Sequence, residues 1–267
     1  MINMNNEKEE RKETEKETKN KVEYGWYLKN VMLYLLFIGA CGIGMIILSI
    51  LFGGLLGVIL LPSGMIIALI LLWPGIGLLA MNILTDKNIS HPTVSLPEIV
   101  NLESPKILDI GCGTGRVAIG MAKNLKNGGH IHGIDIFDRS LSHNALETVK
   151  KNAKLENVEK KTTFQHGSAT DIPFEDDFFD VVNISYVLHE IRDKPQVLKE
   201  IIRVLKPEGV LYLTELQRSS ISTLLLMGLF SVTCKGKKFW TELLDDNGFN
   251  KIKHVDKGPL VIITAIP

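Results

Sequence analysis

Near the middle of the chain lies the stretch ILDIGCGTG, residues 107–115, which decides the expected fold. Its first residues are typical of a buried strand, and its glycines at 111, 113 and 115 permit a sharp turn and close approach of a ligand to the backbone. A helical pattern follows at 116–125, so the N-terminal amides of that helix would face the same ligand. The order of strand, glycine-rich turn and helix predicts a ligand-binding loop.

An acidic residue ends the next predicted strand. Asp135 lies twenty residues beyond Gly115, and in doubly wound folds an acid at this place accepts hydrogen bonds from ribose hydroxyls. A nicotinamide dinucleotide site is the competing interpretation. That fingerprint requires a third glycine five positions after the first, where this sequence has Arg116. The pattern is instead GxGxG preceded by Asp109, and little chain remains for a substrate domain of the dehydrogenase type.

Short β-branched runs alternate with helical stretches from residue 106 onward, which indicates βαβ units and a parallel sheet with helices on both faces. Strands are predicted at 106–110, 131–136, 162–165, 181–185, 210–215, 251–255 and 260–265, and helices at 116–125, 140–155, 196–205 and 238–247. The last two strands are joined by a DKGP turn and form a hairpin. The predicted fold class is α/β, a doubly wound, mostly parallel seven-stranded sheet with an antiparallel C-terminal hairpin.

An apolar block precedes this domain. Residues 30–85 contain no charged residue and no histidine, whereas residues 1–29 contain seven Lys/Arg and seven Asp/Glu. One helix of that length would extend about 80 Å, well beyond the ~30 Å hydrocarbon core of a bilayer. Two transmembrane helices near 30–52 and 62–84 are therefore predicted, with breaks at Gly53-Gly54 or at 62–64. A buried hairpin of a soluble protein is the alternative.

The predicted organisation is a charged tail at 1–29, two spans at 30–85, a linker at 86–104 and a domain at 105–267. Lysines flank both ends of the block and none lies between the spans, so both ends are expected in the cytoplasm of a multi-pass membrane protein. The chain has 30 Lys/Arg and 30 Asp/Glu, so no nucleic-acid partner is expected. Its three cysteines have no metal-ligand spacing, and no metal site is expected.

Four segments together resemble the class I S-adenosylmethionine-dependent methyltransferases. They are ILDIGCGTG (107–115), GIDIF (133–137), GSATDIPFEDDFFDVV (167–182) and EIIRVLKPEGVLYLTE (200–215). The sequence is most similar to the branch that contains the ubiquinone and menaquinone C-methyltransferases, and the resemblance covers about residues 104–266. It implies S-adenosylmethionine as the cofactor and a small or lipid-like molecule as the methyl acceptor.

The resemblance also implies which residues surround that cofactor. The glycine-rich loop would line its methionine and ribose part, Asp109 would lie near its amino group, and Asp135 would hold the ribose diol. Ser168 stands where relatives usually have an acid beside the adenine, and Asp171 is a candidate substitute. The full predicted set is Asp109, Gly111, Gly113, Thr114, Asp135, Ile136, Ser168, Ala169, Asp171 and Ser185. For Asp109 and Asp171 the alternative is a cap on a local turn, and for Ser185 a strand end.

A sulfonium cofactor supplies an electrophilic methyl group, so the protein has to align the acceptor and exclude water. No catalytic residue is assigned. His189, Tyr186 and Glu190 follow the fourth strand and are candidates for a base, although a structural role for His189 is favoured.

An insertion at 217–238 follows the fifth strand. Its core, ISTLLLMGLFSVTC at 221–234, is uncharged but too short to span a bilayer, and lysines follow it. Three interpretations of this segment remain open: a core helix, a lid over the acceptor and an interfacial helix.

Two functions are compatible with the whole sequence. The first is a membrane-anchored methyltransferase, and the second is a non-catalytic membrane protein whose domain binds the cofactor or partners.

Overall fold

A computed structural model of the protein describes residues 22–25, 29–86, 102–137, 145–218, 221, 223–224 and 228–267. Several predicted features lie outside these residues. They are the tail before residue 22, the linker at 87–101, the beginning of the helix at 140–155, and part of the insertion.

The apolar block forms a helical hairpin. Helix α1 covers Lys29–Phe52, and α2 (Gly54–Ile67) continues through a π-helical turn (Ala68–Leu72) into α3 (Trp73–Asp86). The chain reverses at Gly53 and Gly54, whose φ angles of 56° and 58° cannot continue a right-handed helix. The second apolar helix therefore begins before the predicted residue 62. Pro62 lies inside α2 and does not break it, because an internal proline removes one helical hydrogen bond without reversing the chain.

Small residues let the two arms of the hairpin approach closely. A Cβ added at Gly39 would lie 2.6 Å from Cβ of Leu72, and one at Gly64 would lie 2.6 Å from the carbonyl oxygen of Gly42. Many large apolar side chains of the hairpin, among them Phe37, Leu55 and Val58, are exposed instead. Both arms are long and apolar enough to cross a membrane, and only 17% and 11% of the residues in their most apolar stretches are buried. This exposure is the reverse of what the core hairpin of a soluble protein would show.

The domain contains one seven-stranded sheet in the order β3-β2-β1-β4-β5-β7-β6. Strands β1 to β5 pair in parallel, and β7 pairs antiparallel with both β5 and β6. The predicted α/β fold class and C-terminal hairpin are confirmed. The reversed strand is β7, so β6 runs in the same direction as β1 to β5. The strands are β1 (Lys106–Ile110), β2 (His130–Asp135), β3 (Thr162–His166), β4 (Phe179–Ser185), β5 (Leu205–Leu216), β6 (Asn250–Lys257) and β7 (Leu260–Ile266).

Helices cover both faces of this sheet. On one face α4 (Arg116–Asn124) and α5 (Ala145–Leu155) bury Ile119 and Val149, and on the other α6 (Lys194–Val204) and α7 (Lys237–Asp246) bury Ile201 and Trp240. Two short 3-10 segments, Glu159–Lys161 and Gly228–Thr233, complete the described elements. The carboxyl ends of the parallel strands lie at one edge of this sheet, and doubly wound folds bind their ligands at that edge.

Candidate active site

The three glycines of the loop after β1 serve two different purposes. All have positive φ angles, 71° at Gly111, 50° at Gly113 and 89° at Gly115. A Cβ at Gly111 would lie 2.3 Å from Cγ2 of Val187, and one at Gly115 would lie 2.6 Å from Cγ2 of Val149, so these two permit close packing. A Cβ at Gly113 would meet no atom within 4 Å. Gly113 therefore leaves open space beside the backbone.

Asp135 lies directly beside this open position. Its Oδ2 accepts a hydrogen bond from the Gly113 amide at 2.9 Å, and its Oδ1 accepts one from the Phe137 amide at 2.8 Å. A carboxylate offers about four lone-pair sites, so each oxygen retains capacity for a ligand hydroxyl. The side chain of Ile136 is 41% exposed next to it and offers a small apolar surface. The arrangement suits a vicinal diol joined to a flat apolar ring.

Asp109 is buried beneath the loop, with 2% exposure. Its Oδ1 accepts a hydrogen bond of 2.6 Å from Asn183, whose own oxygen accepts one of 3.2 Å from the Ser185 hydroxyl. Its Oδ2 is buried without a hydrogen-bond partner. Burial raises the pKa of Asp109 to about 7, against the lowering effect of the Asn183 hydrogen bond. Consecutive hydrogen bonds thus join the buried Asp109 on β1, through Asn183, to the half-buried Ser185 at the end of β4.

The remaining predicted adenine contacts lie in the turn after β3. The Ser168 hydroxyl is 2.8 Å from the Thr170 hydroxyl and accepts a bond of 3.2 Å from the Thr170 amide. Ala169 is buried in the core, whereas Asp171 is exposed. This turn adjoins the site because the Gly167 amide donates to the Asp135 carbonyl at 3.0 Å. The geometry fits a turn-capping role for Ser168, and contacts of these residues with a cofactor stay a prediction.

Thr114 is hydrogen-bonded to the segment at 22–25, which precedes the hairpin. Its hydroxyl donates to the carbonyl of Tyr24 at 2.7 Å. The buried amide of Asn152 donates to the carbonyls of Thr114 at 3.0 Å and of Glu23 at 2.9 Å, and it accepts a bond of 2.9 Å from the Glu23 amide. Residues 22–25 are therefore held against the glycine-rich loop. A direct contact of the Thr114 hydroxyl with a cofactor stays a prediction.

His189 and Glu215 form a pair at the carboxyl edge of β4 and β5. Nδ1 of His189 is 2.8 Å from Oε2 of Glu215, and the His189 amide donates to Oε1 at 3.1 Å. The Glu215 side chain is only 2% exposed, so both of its oxygens are directed at His189 within the protein. The hydrogen bond to Glu215 raises the pKa of His189 above its ordinary value, although burial acts in the opposite direction. With Nδ1 donating to Glu215, Nε2 remains as the basic nitrogen.

This pair lies on the same edge of the sheet as the glycine-rich loop. Ser185 is paired with Thr214 across β4 and β5, so Glu215 follows the last pair of that ladder. Val187, two residues before His189, packs against Gly111. The loop after β4 therefore contacts the glycine-rich loop through Val187 and carries His189 two residues later.

Sequence reasoning missed four residues of the site. Asn183, Asn152 and Tyr24 carry no local pattern, because their partners are far away in sequence. Glu215 did leave a signal: an acid inside an apolar strand is costly to bury unless a partner satisfies it. Among the described residues, no three His, Cys, Asp or Glu side chains are grouped so as to hold a metal ion.

Comparisons with known proteins identify the family of the domain. A family model described as "Methyltransferase domain" matches residues 102–248. A demethylmenaquinone methyltransferase from Lactobacillus johnsonii is 38% identical over 102 residues, 38% of this chain and 40% of that protein. One from Listeria welshimeri is 42% identical over 105 residues, 39% of this chain and 42% of that protein. The chain thus spans less than half the length of these curated relatives.

A solved structure shows the same fold at low sequence identity. A SAM-dependent methyltransferase from Aquifex aeolicus superimposes with a TM-score of 0.54 and 19% identity, covering 63% of this chain and 85% of that one.

Proposed function

The chain belongs to the methyltransferase-domain family and uses S-adenosylmethionine, and on this premise we propose that it methylates a lipid-soluble hydroquinone of the menaquinone type. The observation that carries the acceptor class is the identity of 38% and 42% with demethylmenaquinone methyltransferases. Because less than half of each relative is matched, the acceptor is argued further from the site itself.

The residues around Gly113 fit the cofactor. Asp135 would accept the ribose hydroxyls, Ile136 would pack on the adenine, and the open backbone at Gly113 would admit the methionine part. The bound cofactor supplies a methyl group made electrophilic by its sulfonium. Asp109 would support this loop from below, because its carboxylate is fixed by Asn183 and is shielded from solvent. The task left to the chain is to orient the acceptor and to move its proton.

His189 is the proposed base for that proton. A hydroquinone arrives with its hydroxyl protonated, and removing this proton raises the electron density at the neighbouring ring carbon. Nε2 of His189 would accept the proton, and the buried carboxylate of Glu215 would stabilise the resulting imidazolium through the Nδ1 hydrogen bond of 2.8 Å. The ring carbon would then form its bond to the methyl group while the methyl–sulfur bond breaks and its electron pair remains on sulfur. Loss of the ring carbon's own proton to solvent would restore the aromatic ring.

Membrane anchoring by the hairpin is part of the proposal. A quinone with an isoprenoid tail resides in the bilayer, and two long helices with outward-facing apolar side chains would hold the enzyme there. The segment at 22–25 before α1 and the domain after α3 contact each other. Both ends of the hairpin therefore belong on one side, and the flanking lysines favour the cytoplasmic side.

Expression of this chain in a bacterium that lacks its own demethylmenaquinone methyltransferase tests the proposal. We expect the extracted quinones to change from the demethylated to the methylated form. Asp135→Ala should fail to restore methylation, whereas the control Asp245→Ala, on the exposed end of α7, should restore it. An unchanged quinone pool, with the protein present in the membrane fraction, would contradict the proposed acceptor.

A further inference from the structure

The insertion after β5 leaves the domain at the rim of the active site. Glu215 is followed within two residues by Gln217, whose carbonyl accepts a hydrogen bond of 2.7 Å from the buried Thr223 hydroxyl. The Arg218 amide donates to the Lys235 carbonyl at 3.2 Å, so the two ends of the excursion are joined. The described residues between 218 and 235 therefore form an appendage fixed beside the pair of His189 and Glu215.

The same appendage touches the membrane hairpin. Its 3-10 segment Gly228–Thr233 packs against α3. A Cβ added at Gly228 would lie 3.6 Å from Cδ of Pro74 and 3.7 Å from Cδ2 of Trp73. The insertion thus bridges the rim of the active site and one arm of the hairpin.

The point of contact corresponds to the edge of a bilayer. Along the second arm, Trp73 lies about 28 Å from the turn at Gly54, and along α1, Tyr34 lies about 27 Å from Phe52. A hydrocarbon core is ~30 Å thick. When the turn reaches one face of the core, Trp73 and Tyr34 lie near the other face, where Trp and Tyr side chains are enriched.

The exposed side chains of the insertion are suited to a position at the edge of a bilayer. Val232 is 57% exposed, and Ile221 and Leu224 are exposed as well. Arg218 and Lys235, at the two joined ends, are both exposed cations. Apolar side chains with cations at their border are the composition of segments that lie at the boundary between acyl chains and anionic headgroups.

We infer that the described residues of the insertion form a second membrane contact, which binds the lipid bilayer and turns the acceptor end of the active site toward it. A lipid-tailed acceptor then reaches His189 from the membrane without crossing water. The inference rests on the proposed membrane anchoring, and it resolves the open alternatives for the insertion in favour of an interfacial segment.

Quenching by brominated lipids tests this contact on the full chain. In a background with Cys41 and Cys234 replaced by serine, Val232→Cys is labelled with bimane and reconstituted into phosphatidylcholine and phosphatidylglycerol vesicles with or without brominated acyl chains. We expect the label to lose most of its emission in the brominated vesicles. Ile50→Cys on the hairpin is the quenched control, and Glu159→Cys, before β3 at the opposite edge of the sheet, is the unquenched control.

The outcomes separate this inference from the proposed function. An unquenched label at 232 together with a quenched label at 50 would overturn the inference and leave the anchoring intact. Unquenched labels at both positions would overturn both. Methyl transfer is measured independently on the same samples, so the acceptor assignment is decided separately.

A charged side chain at the same position gives a kinetic test. Val232→Asp should raise KM severalfold for a lipid-tailed hydroquinone in vesicles, because the carboxylate disfavours the membrane contact. It should leave kcat and the KM for a short-chain, water-soluble hydroquinone unchanged, as should the control Lys160→Asp for both acceptors. Equal effects of Val232→Asp on both acceptors would show a local disturbance of the site and would overturn the inference.

Discussion

Asp135→Ala removes a carboxylate that bonds two backbone amides and that the proposed site offers to the ribose of S-adenosylmethionine. A hydrogen bond to a charged acceptor contributes roughly 1.5–3 kcal/mol net. Loss of the ribose contacts should therefore weaken cofactor binding by about tenfold to a hundredfold or more, since each 1.4 kcal/mol is a factor of about ten. The amides of Gly113 and Phe137 also lose their acceptor, which should lower the free energy of unfolding by about 1–3 kcal/mol.

Titration calorimetry of the detergent-solubilised full chain, combined with thermal unfolding, measures both effects. Asp135→Asn should bind with intermediate affinity, because its amide oxygen still accepts one hydrogen bond while its NH2 group faces a backbone donor. Asp245→Ala is the matched control, since it removes an exposed carboxylate remote from the loop. Unchanged affinity in a folded Asp135→Ala protein would refute the assignment of this acid to the ribose.

Three further predictions concern other parts of the domain. The rate of methyl transfer should fall at low pH as His189 is protonated, with a midpoint above the ordinary pKa of histidine. Glu215→Gln keeps an acceptor for Nδ1 but removes the negative charge that favours the imidazolium, so the midpoint in a pH–rate profile should move down. Burial lowers the pKa of His132 to about 4, so between pH 6.5 and 4 the unfolded chain binds a proton that the folded protein does not. The free energy of unfolding should therefore fall as the pH drops through this range. Thermal scans of His132→Gln should show a weaker fall. Asn152→Ala should lower the free energy of unfolding by about 1–3 kcal/mol and weaken cofactor binding, because it removes the hydrogen bonds that join Glu23 to the carbonyl of Thr114 in the glycine-rich loop; calorimetry measures both, and Lys150→Ala, which removes an exposed cation on the same helix, is the control.

Local sequence patterns predict most of the fold. The glycine-rich turn at 111–115 and the acid at 135 were predictable because a strand, a tight turn and a helix impose residue types on neighbouring positions. The antiparallel direction of the final strand was predictable from the short turn that joins it to the preceding strand. The start of the second apolar helix was predicted less well: both Gly53-Gly54 and Pro62 are candidate breaks in sequence, and only consecutive positive φ angles distinguish the first.

Long-range partners account for what the sequence could not predict. Asn183 bonds Asp109 across 74 positions, and Asn152 bonds Glu23 across 129. No periodicity links such residues, because the sheet order and the docking of the segment before α1 bring them together. Glu215 and His189 are 26 positions apart, and their pairing requires β4 and β5 to be neighbours in the expected register.

The position of the transferred methyl group tests the proposed C-methylation most directly. The purified chain is reconstituted into vesicles with demethylmenaquinol and S-adenosylmethionine carrying a deuterated methyl group, and the product is analysed by mass spectrometry and NMR. We expect the deuterated methyl group on a ring carbon of the quinone, and we expect both Asp135→Ala and His189→Gln to reduce its formation strongly. Label on a hydroxyl oxygen, or no transfer that depends on the added quinol, would contradict the proposed C-methylation.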